Sequence, residues 1–155
     1  MKLGVHEDAL CLAFLCDEPM MGALPAGAKG VGGSARADDS VEVWLGPDHG
    51  AALQFVVGAS GARGGAAESM QLRAATARLA DAWTAEMEIP LRALHAQAPE
   101  PGDVWGIQLC RSRRTGGKTQ NTTWTPTTGG FRKAECFGDL VFAPETRSAA
   151  LPVHR

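Results

Sequence analysis

The feature that most constrains the fold is a strict alternation of residue types in the segment formed by residues 40–45. Its apolar positions are Val41, Val43 and Leu45, and its other face carries Ser40, Glu42 and Trp44. Successive side chains point to opposite faces in a β-strand, so this two-residue period predicts a strand with one face directed into a core. An acid beside a tryptophan is unusual on a solvated strand face. The pair therefore indicates a ligand surface, with a half-buried tryptophan on an edge strand as the alternative.

Strand patterns recur along the chain, whereas helical periodicity is almost absent. Alternating apolar residues are found in three further segments, residues 53–57, 82–89 and 104–109. Residues 10–16 are apolar on both faces, as in a central strand between two packed layers. Residues 71–79 fit a helix or a strand, and we predict a strand. The one helical turn that we predict covers residues 91–95, so the protein is expected to be all-β.

Length and charge fit a single domain without a broad electrostatic surface. The 155 residues suit one core, placed at about residues 3–142, with an irregular tail at residues 143–155. Fifteen Lys and Arg against 17 Asp and Glu give a net charge of −2, which argues against nucleic acid or an anionic membrane as partner. The longest apolar run, residues 9–16, is too short to span a bilayer and lacks the features of a secretory signal. We expect a soluble chain without an export signal of its own.

Two patterns resemble catalytic motifs, and both have simpler explanations. Glu86 and Glu88 lie two residues apart on the polar face of a predicted strand, where paired carboxylates usually promote solubility. The Gly-Ala-Ser-Gly sequence at residues 58–61 misses the spacing of a nucleophile elbow and precedes no helix. We therefore predict that the protein is not an enzyme.

The four cysteines follow neither a metal-binding nor a redox pattern. Cys11 and Cys16 would lie roughly 17 Å apart on one extended strand and face opposite sides. A disulfide from either must therefore reach Cys110 or Cys136. We predict buried free thiols, the more common state of scattered cysteines.

Loops and strand ends contribute the remaining residues of interest. Arg111 ends a predicted strand, where it can reach a ligand or cap a buried acid. Trp124 and Phe131 lie between strands, where they either stack on a ligand or close the end of the sandwich. We expect no regular structure in the glycine-rich residues 17–38. A solvated loop tip is predicted to carry Arg113, Arg114 and Lys118.

Several short motifs occur in a fixed order along the chain. They are HEDAL at residues 6–10, DSVEV at 39–43, QF at 54–55, WTAE at 83–86, IPL at 89–91, GDVWG at 102–106, Arg111, Trp124 and FGDL at 137–140. This order resembles that of the family 9 carbohydrate-binding modules and their DOMON-like relatives. The resemblance implies an immunoglobulin-like sandwich of two antiparallel β-sheets. It also implies an extracellular or periplasmic protein.

In sugar-binding members of that family, two tryptophans clamp the sugar and an acid accepts hydrogen bonds from its hydroxyls. The resemblance assigns the role of the acid to Glu42. The first clamp position holds Arg36, the second holds Phe131, and the position of a ligand-binding arginine holds Val56. The family's opening strand, which precedes the position of Lys2, has no counterpart in this sequence. We therefore expect a shortened sandwich or an edge completed by another chain, either a host protein or a second copy.

We predict that the protein binds a saccharide without catalysis. The predicted ligand-binding residues are Glu42, Trp44, Gln54, Arg111, Trp124 and Phe131. Aromatic rings stack on the C–H face of a sugar, while charged and amide groups bind its hydroxyls. The first alternative is a haem-binding electron-transfer domain, with axial ligands drawn from His6, His49, His95, Met20 and Met87. The second is an assembly domain whose sugar site has decayed.

No cofactor is predicted from the residues themselves. The family resemblance allows a structural calcium ion, which prefers oxygen ligands. Hard oxygen donors in loops are Asp38, Asp39 and Asp48.

Overall fold

Ten β-strands form the regular structure of the protein, which contains no α-helix in the part of the chain that the structure describes. The structure is a computed structural model and describes residues 1–30, 33–47, 51–68, 70–94 and 99–144. The strands are β1 (Lys2–His6), β2 (Ala9–Asp17), β3 (Ser40–Gly46), β4 (Leu53–Gly58), β5 (Arg63–Gly65), β6 (Arg73–Arg78), β7 (Ala82–Pro90), β8 (Val104–Arg113), β9 (Gln120–Thr123) and β10 (Gly138–Val141). Short 3-10 turns occupy several of the connections.

The strands form two sheets in which every pairing is antiparallel. The first sheet has the order β1-β2-β7-β6, and the second has the order β10-β8-β3-β4-β5. Strand β9 also pairs with β8, beside β10 on the same edge. The second sheet therefore places β3 at its centre, with β8 on one side and β4 on the other.

The core lies between the two sheets and is built from alternate side chains of the longer strands. Trp83 of β7 and Phe55 of β4 are its largest fully buried members. The apolar residues of β3 that alternation predicts to be internal, Val41, Val43 and Leu45, are all buried. Complete burial of such a side chain contributes about 1.5–3 kcal/mol. Packing of both sheets on one apolar cluster makes the protein an all-β sandwich, as the sequence predicts.

The uncertain segments are resolved as follows. Residues 73–78 form strand β6, which confirms the choice of strand over helix. The predicted helical turn is a 3-10 turn at Leu91–Leu94, and His95 lies outside the described residues. The expectation of no regular structure in residues 17–38 is wrong, because 3-10 turns occur at Met21–Ala23 and Gly33–Ala37. Such turns are too short to leave a periodic pattern in the sequence.

All four cysteines are free, which confirms the prediction of free thiols. Cys16 and Cys110 are buried, whereas Cys11 and Cys136 are partly exposed. Burial raises the pKa of Cys16 to about 11 and that of Cys110 to about 12, and the nearby charge of Glu42 adds to the second shift. Both thiols are therefore protonated and weakly nucleophilic at neutral pH.

The described residues include no helix with the length and apolar character that crossing a membrane requires. Strand β1 forms one edge of the four-stranded sheet, and most of its residues are exposed. Completion of that edge by another chain stays a prediction. The irregular tail predicted at residues 143–155 lies outside the described residues from position 145 onward.

Candidate functional site

The polar side of β3 lies on the outer face of the six-stranded sheet. Because Val43 points into the core, alternation directs Glu42 and Trp44 to the opposite face. Trp44 is paired in register with Gln54 of β4 on one side and with Gln108 of β8 on the other. The two central strand pairs thus place a tryptophan between two amides.

Glu42 is only 5% exposed and is held by two other side chains. Gln54 donates a hydrogen bond from Nε2 to Oε2 of Glu42, and Arg36 places Nε 3.9 Å from Oε1. Arg36 also donates from Nη2 to Oε1 of Gln54, which closes the set of contacts. The side chain of Arg36 nevertheless remains 51% exposed. A buried acid and an amide therefore position a guanidinium that is open to solvent.

Beside this triad of Arg36, Glu42 and Gln54 lies an open cleft with a volume of about 660 Å³. Its walls include Arg36, Gln54, Trp44, Gly65 and Arg132, whereas Glu42 lies beneath the walls. Gly65 has a φ of +69°, and a Cβ at this position would collide with the carbonyl oxygen of Gln54. Only glycine lets β5 approach β4 this closely. The cleft is within the size range of small-molecule sites.

Trp44 has a polar atom without a partner. Its indole Nε1 is buried and has no hydrogen-bond acceptor among the residues that the structure describes. The ring is partly buried and lines the cleft, so its contribution there is an apolar surface beside the polar groups of Arg36 and Gln54.

Arg111 lies in a separate, buried ionic network at the end of β8. Its Nη2 is 3.0 Å from Oδ2 of Asp39 and 3.7 Å from Oε2 of Glu18. It also donates from Nη1 to the backbone carbonyl of Asp17. Arg111 therefore caps buried acids and joins the end of β2 to the residue that precedes β3. It does not line the cleft beside Trp44.

Glu18 is the most strongly perturbed acid of this network. Arg113 donates to both of its oxygens, from Nε at 2.7 Å and from Nη2 at 2.9 Å. These hydrogen bonds outweigh the opposing effect of burial and lower the pKa of Glu18 from 4.5 to about 2, with help from the backbone N–H of Met20. The prediction that Arg113 lies on a solvated loop tip is wrong, because an acid distant in sequence binds it.

Trp124 is 54% exposed and lies at the edge of the sheet, away from the cleft beside Trp44. Its ring packs over Gly138 of β10, where a Cβ would come within 2.5 Å of the indole. The residue after Trp124, Thr125, is held by the fully buried Gln108. Oε1 of Gln108 accepts from the backbone N–H of Thr125 at 3.0 Å, and its Nε2 donates to the Thr125 hydroxyl at 2.6 Å. Trp124 lines a second, smaller cleft of about 260 Å³ together with Arg111.

Phe131 is partly exposed and belongs to the loop that precedes β10. The next residue, Arg132, lines the cleft beside Trp44, so this loop reaches the cleft. Phe131 itself is not among the residues that line either cleft. Of the six predicted ligand-binding residues, the structure brings Glu42, Trp44 and Gln54 together.

The residues considered for calcium and haem have other environments. Asp39 binds Arg111, and Oδ1 of Asp38 accepts from the backbone N–H groups of Gly27 and Ala28. No group of three or more His, Cys, Asp or Glu able to hold a metal ion occurs within the described residues. Asp48 lies outside the described residues. Asp39 is a poor calcium ligand because the guanidinium of Arg111 neutralises its charge. A structural calcium ion stays a prediction.

For haem, three of the five proposed axial ligands can be located. Met87 is buried in the core, whereas Met20 and His6 are exposed. His49 and His95 lie outside the described residues.

Sequence reasoning missed the residues whose partners are distant along the chain. Arg36 was noted only as a departure from the family pattern, although it binds Gln54, 18 residues away. Glu18 and Gln108 were not singled out, and nothing in their local pattern distinguishes them. Alternation with Ile107 and Leu109 places Gln108 on the same outer face as Trp44, and it does not indicate that Gln108 is buried.

No protein-family model and no curated protein matches the chain, but solved structures match its fold. A family 9 carbohydrate-binding module from Caldicellulosiruptor kristjanssonii in complex with cellotriose superimposes with a TM-score of 0.76 at 17% identity, covering 99% of this chain and 78% of the module. The same module in complex with glucose gives a TM-score of 0.76 at 17% identity over 97% of this chain and 78% of that one. A Bacteroides uniformis protein to which carbohydrate binding is attributed gives 0.71 at 18% identity, over 87% and 73% of the two chains. The chain therefore has the fold of a family 9 carbohydrate-binding module.

Proposed function

We propose that this protein binds a saccharide without catalysis, in the cleft beside Trp44. The proposal rests on one observation. The apolar indole of Trp44, the amide of Gln54 and the guanidinium of Arg36 all line the same cleft. A pyranose ring needs this combination, because its C–H face is apolar and its edge is a ring of hydroxyls. The fold shared with modules solved in complex with glucose and cellotriose supports the proposal.

Each group in the cleft has a distinct role in this proposal. Trp44 supplies the stacking surface, and such contacts contribute about 0.5–1.5 kcal/mol beyond the area that they bury. Gln54 and Arg36 bind hydroxyl groups at the rim. Glu42 acts from beneath as a positioning residue, because both of its oxygens contact Gln54 or Arg36. Preorganised polar groups lose little entropy when a ligand binds.

The absence of a catalytic role is part of the proposal. Glu86 and Glu88 lie on the four-stranded sheet, and Glu88 is paired with Arg73. The buried thiols of Cys16 and Cys110 have raised pKa values, which makes them poor nucleophiles.

A second function is favoured by one observation, the burial of Glu42. Because this carboxylate is already bound by Gln54 and Arg36, it serves equally well to stabilise an assembly domain that has no ligand. This alternative requires that the cleft remain empty in the presence of every saccharide.

Calorimetric titration with mono- and oligosaccharides separates the two functions. We expect binding by the parent protein and a loss of about tenfold in affinity for Trp44→Ala, the effect of removing a stacking surface. Trp124→Ala is the matched control, since it removes an indole from the other cleft. If Trp124→Ala weakens binding and Trp44→Ala does not, the saccharide occupies the smaller cleft. If the parent binds no saccharide, the assembly function replaces the proposal.

A further inference from the structure

The charge of the cleft differs from that of the whole chain. The protein has a net charge of −2, yet Arg36 and Arg132 both line the cleft beside Trp44. No carboxylate lines it among the side chains that the structure describes. A local excess of positive charge in a concave site attracts anions more strongly than the same charges on a flat surface.

The two arginines are not equivalent. Arg36 has a buried partner, because its Nε lies 3.9 Å from the Glu42 carboxylate and its Nη2 donates to Gln54. Arg132 is exposed, and within the described residues it forms neither an ion pair nor a side-chain hydrogen bond. Glu42 therefore compensates one of the two positive charges, whereas none of the side chains that the structure describes compensates the charge of Arg132.

An uncompensated guanidinium has a preferred ligand. Its planar fork of N–H donors matches a carboxylate and binds it through two parallel hydrogen bonds. A neutral sugar hydroxyl offers no charge to such a group. Arg132 can donate to a hydroxyl of a neutral saccharide, but its two parallel donors favour a saccharide that carries a carboxylate.

On this basis, and resting on the proposed saccharide binding, we infer that the natural ligand of the cleft is an acidic saccharide that carries a uronic acid. Trp44 stacks on the ring, Gln54 and Arg36 bind its hydroxyls, and Arg132 binds the carboxylate. Long-range attraction then contributes to binding, and raising the salt concentration weakens it.

The test compares sugars that differ only in the acid group. Glucose and glucuronate, and galactose and galacturonate, are titrated into the full chain in pairs, followed by short oligogalacturonates. We expect each acid to bind about fivefold tighter than its neutral partner, as one exposed charge pair allows. Added sodium chloride should reduce this ratio. Sulfated glucose tests whether a carboxylate is needed, and we expect it to bind more weakly than glucuronate.

Arg132→Gln and Lys133→Gln form a matched pair of variants. Both remove one positive charge from the same exposed loop, but only Arg132 lines the cleft. Arg132→Gln should bring the ratio of acid to neutral affinity close to one, and Lys133→Gln should leave it unchanged. Equal effects of the two variants would overturn the inference.

The remaining outcomes distinguish this inference from the proposed function. If neutral sugars bind as tightly as the acids, the inference fails and saccharide binding stands. Tighter binding of sulfated glucose than of glucuronate also overturns the assignment of a carboxylate. If no saccharide of any kind binds, both proposals fail together.

Discussion

Glu18 lies between two arginines at the point where β2, β3 and β8 come together. It is fully buried, and Arg113 donates to both of its oxygens while Arg111 lies 3.7 Å away. Protonation would remove the charge on which these contacts depend. The ionisation of this one carboxyl group is therefore coupled to the stability of the fold.

This coupling predicts a specific acid sensitivity. The pKa of Glu18 is about 2 in the folded protein and 4.5 as the ordinary value, so its stabilisation is complete above pH 4.5 and is lost as the pH falls toward 2. The loss should be on the order of 2 kcal/mol. Urea unfolding measured across that interval should show a steeper decrease in unfolding free energy for the parent than for Glu18→Gln.

The control for this measurement is Asp8→Asn. Asp8 lies 3.6 Å from Arg92, but both side chains are largely exposed, so solvent screens the pair. Asp8→Asn should keep the slope of the parent. Equal slopes for the parent and Glu18→Gln would show that Glu18 is not the group that titrates.

At the scale of an element, β3 has two faces with different tasks. Val41, Val43 and Leu45 pack in the core, while Glu42 and Trp44 lie on the outer face beside β4 and β8. Because Glu42 is buried there, its contacts contribute to stability as well as to the shape of the cleft. The strand thus connects the packing of the sandwich to the arrangement of the site.

We expect Glu42→Ala to lower the unfolding free energy by about 1–3 kcal/mol, the cost of leaving buried hydrogen-bonding groups unsatisfied. The affected group is the partly buried amide of Gln54, because the guanidinium of Arg36 is 51% exposed and can bind water instead. Denaturant unfolding measures the effect. Glu86→Ala is the control, because Glu86 is an exposed acid on β7 and its removal should change stability little. A small effect of both variants would contradict a structural role for Glu42.

The strands could be predicted from sequence because they depend on local pattern. Alternation in residues 40–45 and 82–89 identifies β3 and β7, and the apolar side of each packs in the core as alternation predicts. The partners of the site residues could not be predicted in this way. Arg36 reaches Gln54 only because a 3-10 turn at Gly33–Ala37 returns the chain to β4, and such a turn has no periodic signal.

At the scale of the whole molecule, two packed sheets stabilise the fold without covalent cross-links, since all four thiols are free. The comparison structures share the fold at 17–18% identity, so the same fold forms although most side chains differ. A sandwich of this size buries enough apolar surface to be stable without disulfides.

The free thiols differ in burial, so they should differ in their reactivity toward an alkylating reagent. At neutral pH, Cys136 should react with an alkylating reagent in the native protein, because it is partly exposed. Cys16 and Cys110 should react only on unfolding, since burial both shields them and raises their pKa to about 11 and 12. Mass spectrometry of peptides after labelling with and without urea measures this order. A reducing agent should leave the melting temperature unchanged, whereas a shift would indicate a disulfide.

The positions of the tryptophans allow ligand binding in the cleft to be detected by the intrinsic fluorescence of the protein. The chain contains four tryptophans and no tyrosine, so its near-ultraviolet emission comes from indole alone. Trp83 and Trp105 are shielded in the core and Trp124 faces water, while Trp44 stands at the cleft wall. The wavelength of indole emission depends on the polarity around the ring. A molecule that fills the cleft therefore changes the emission of Trp44 and leaves the emission of Trp83 and Trp105 unchanged. Occupancy can therefore be followed optically, without a dye or a label.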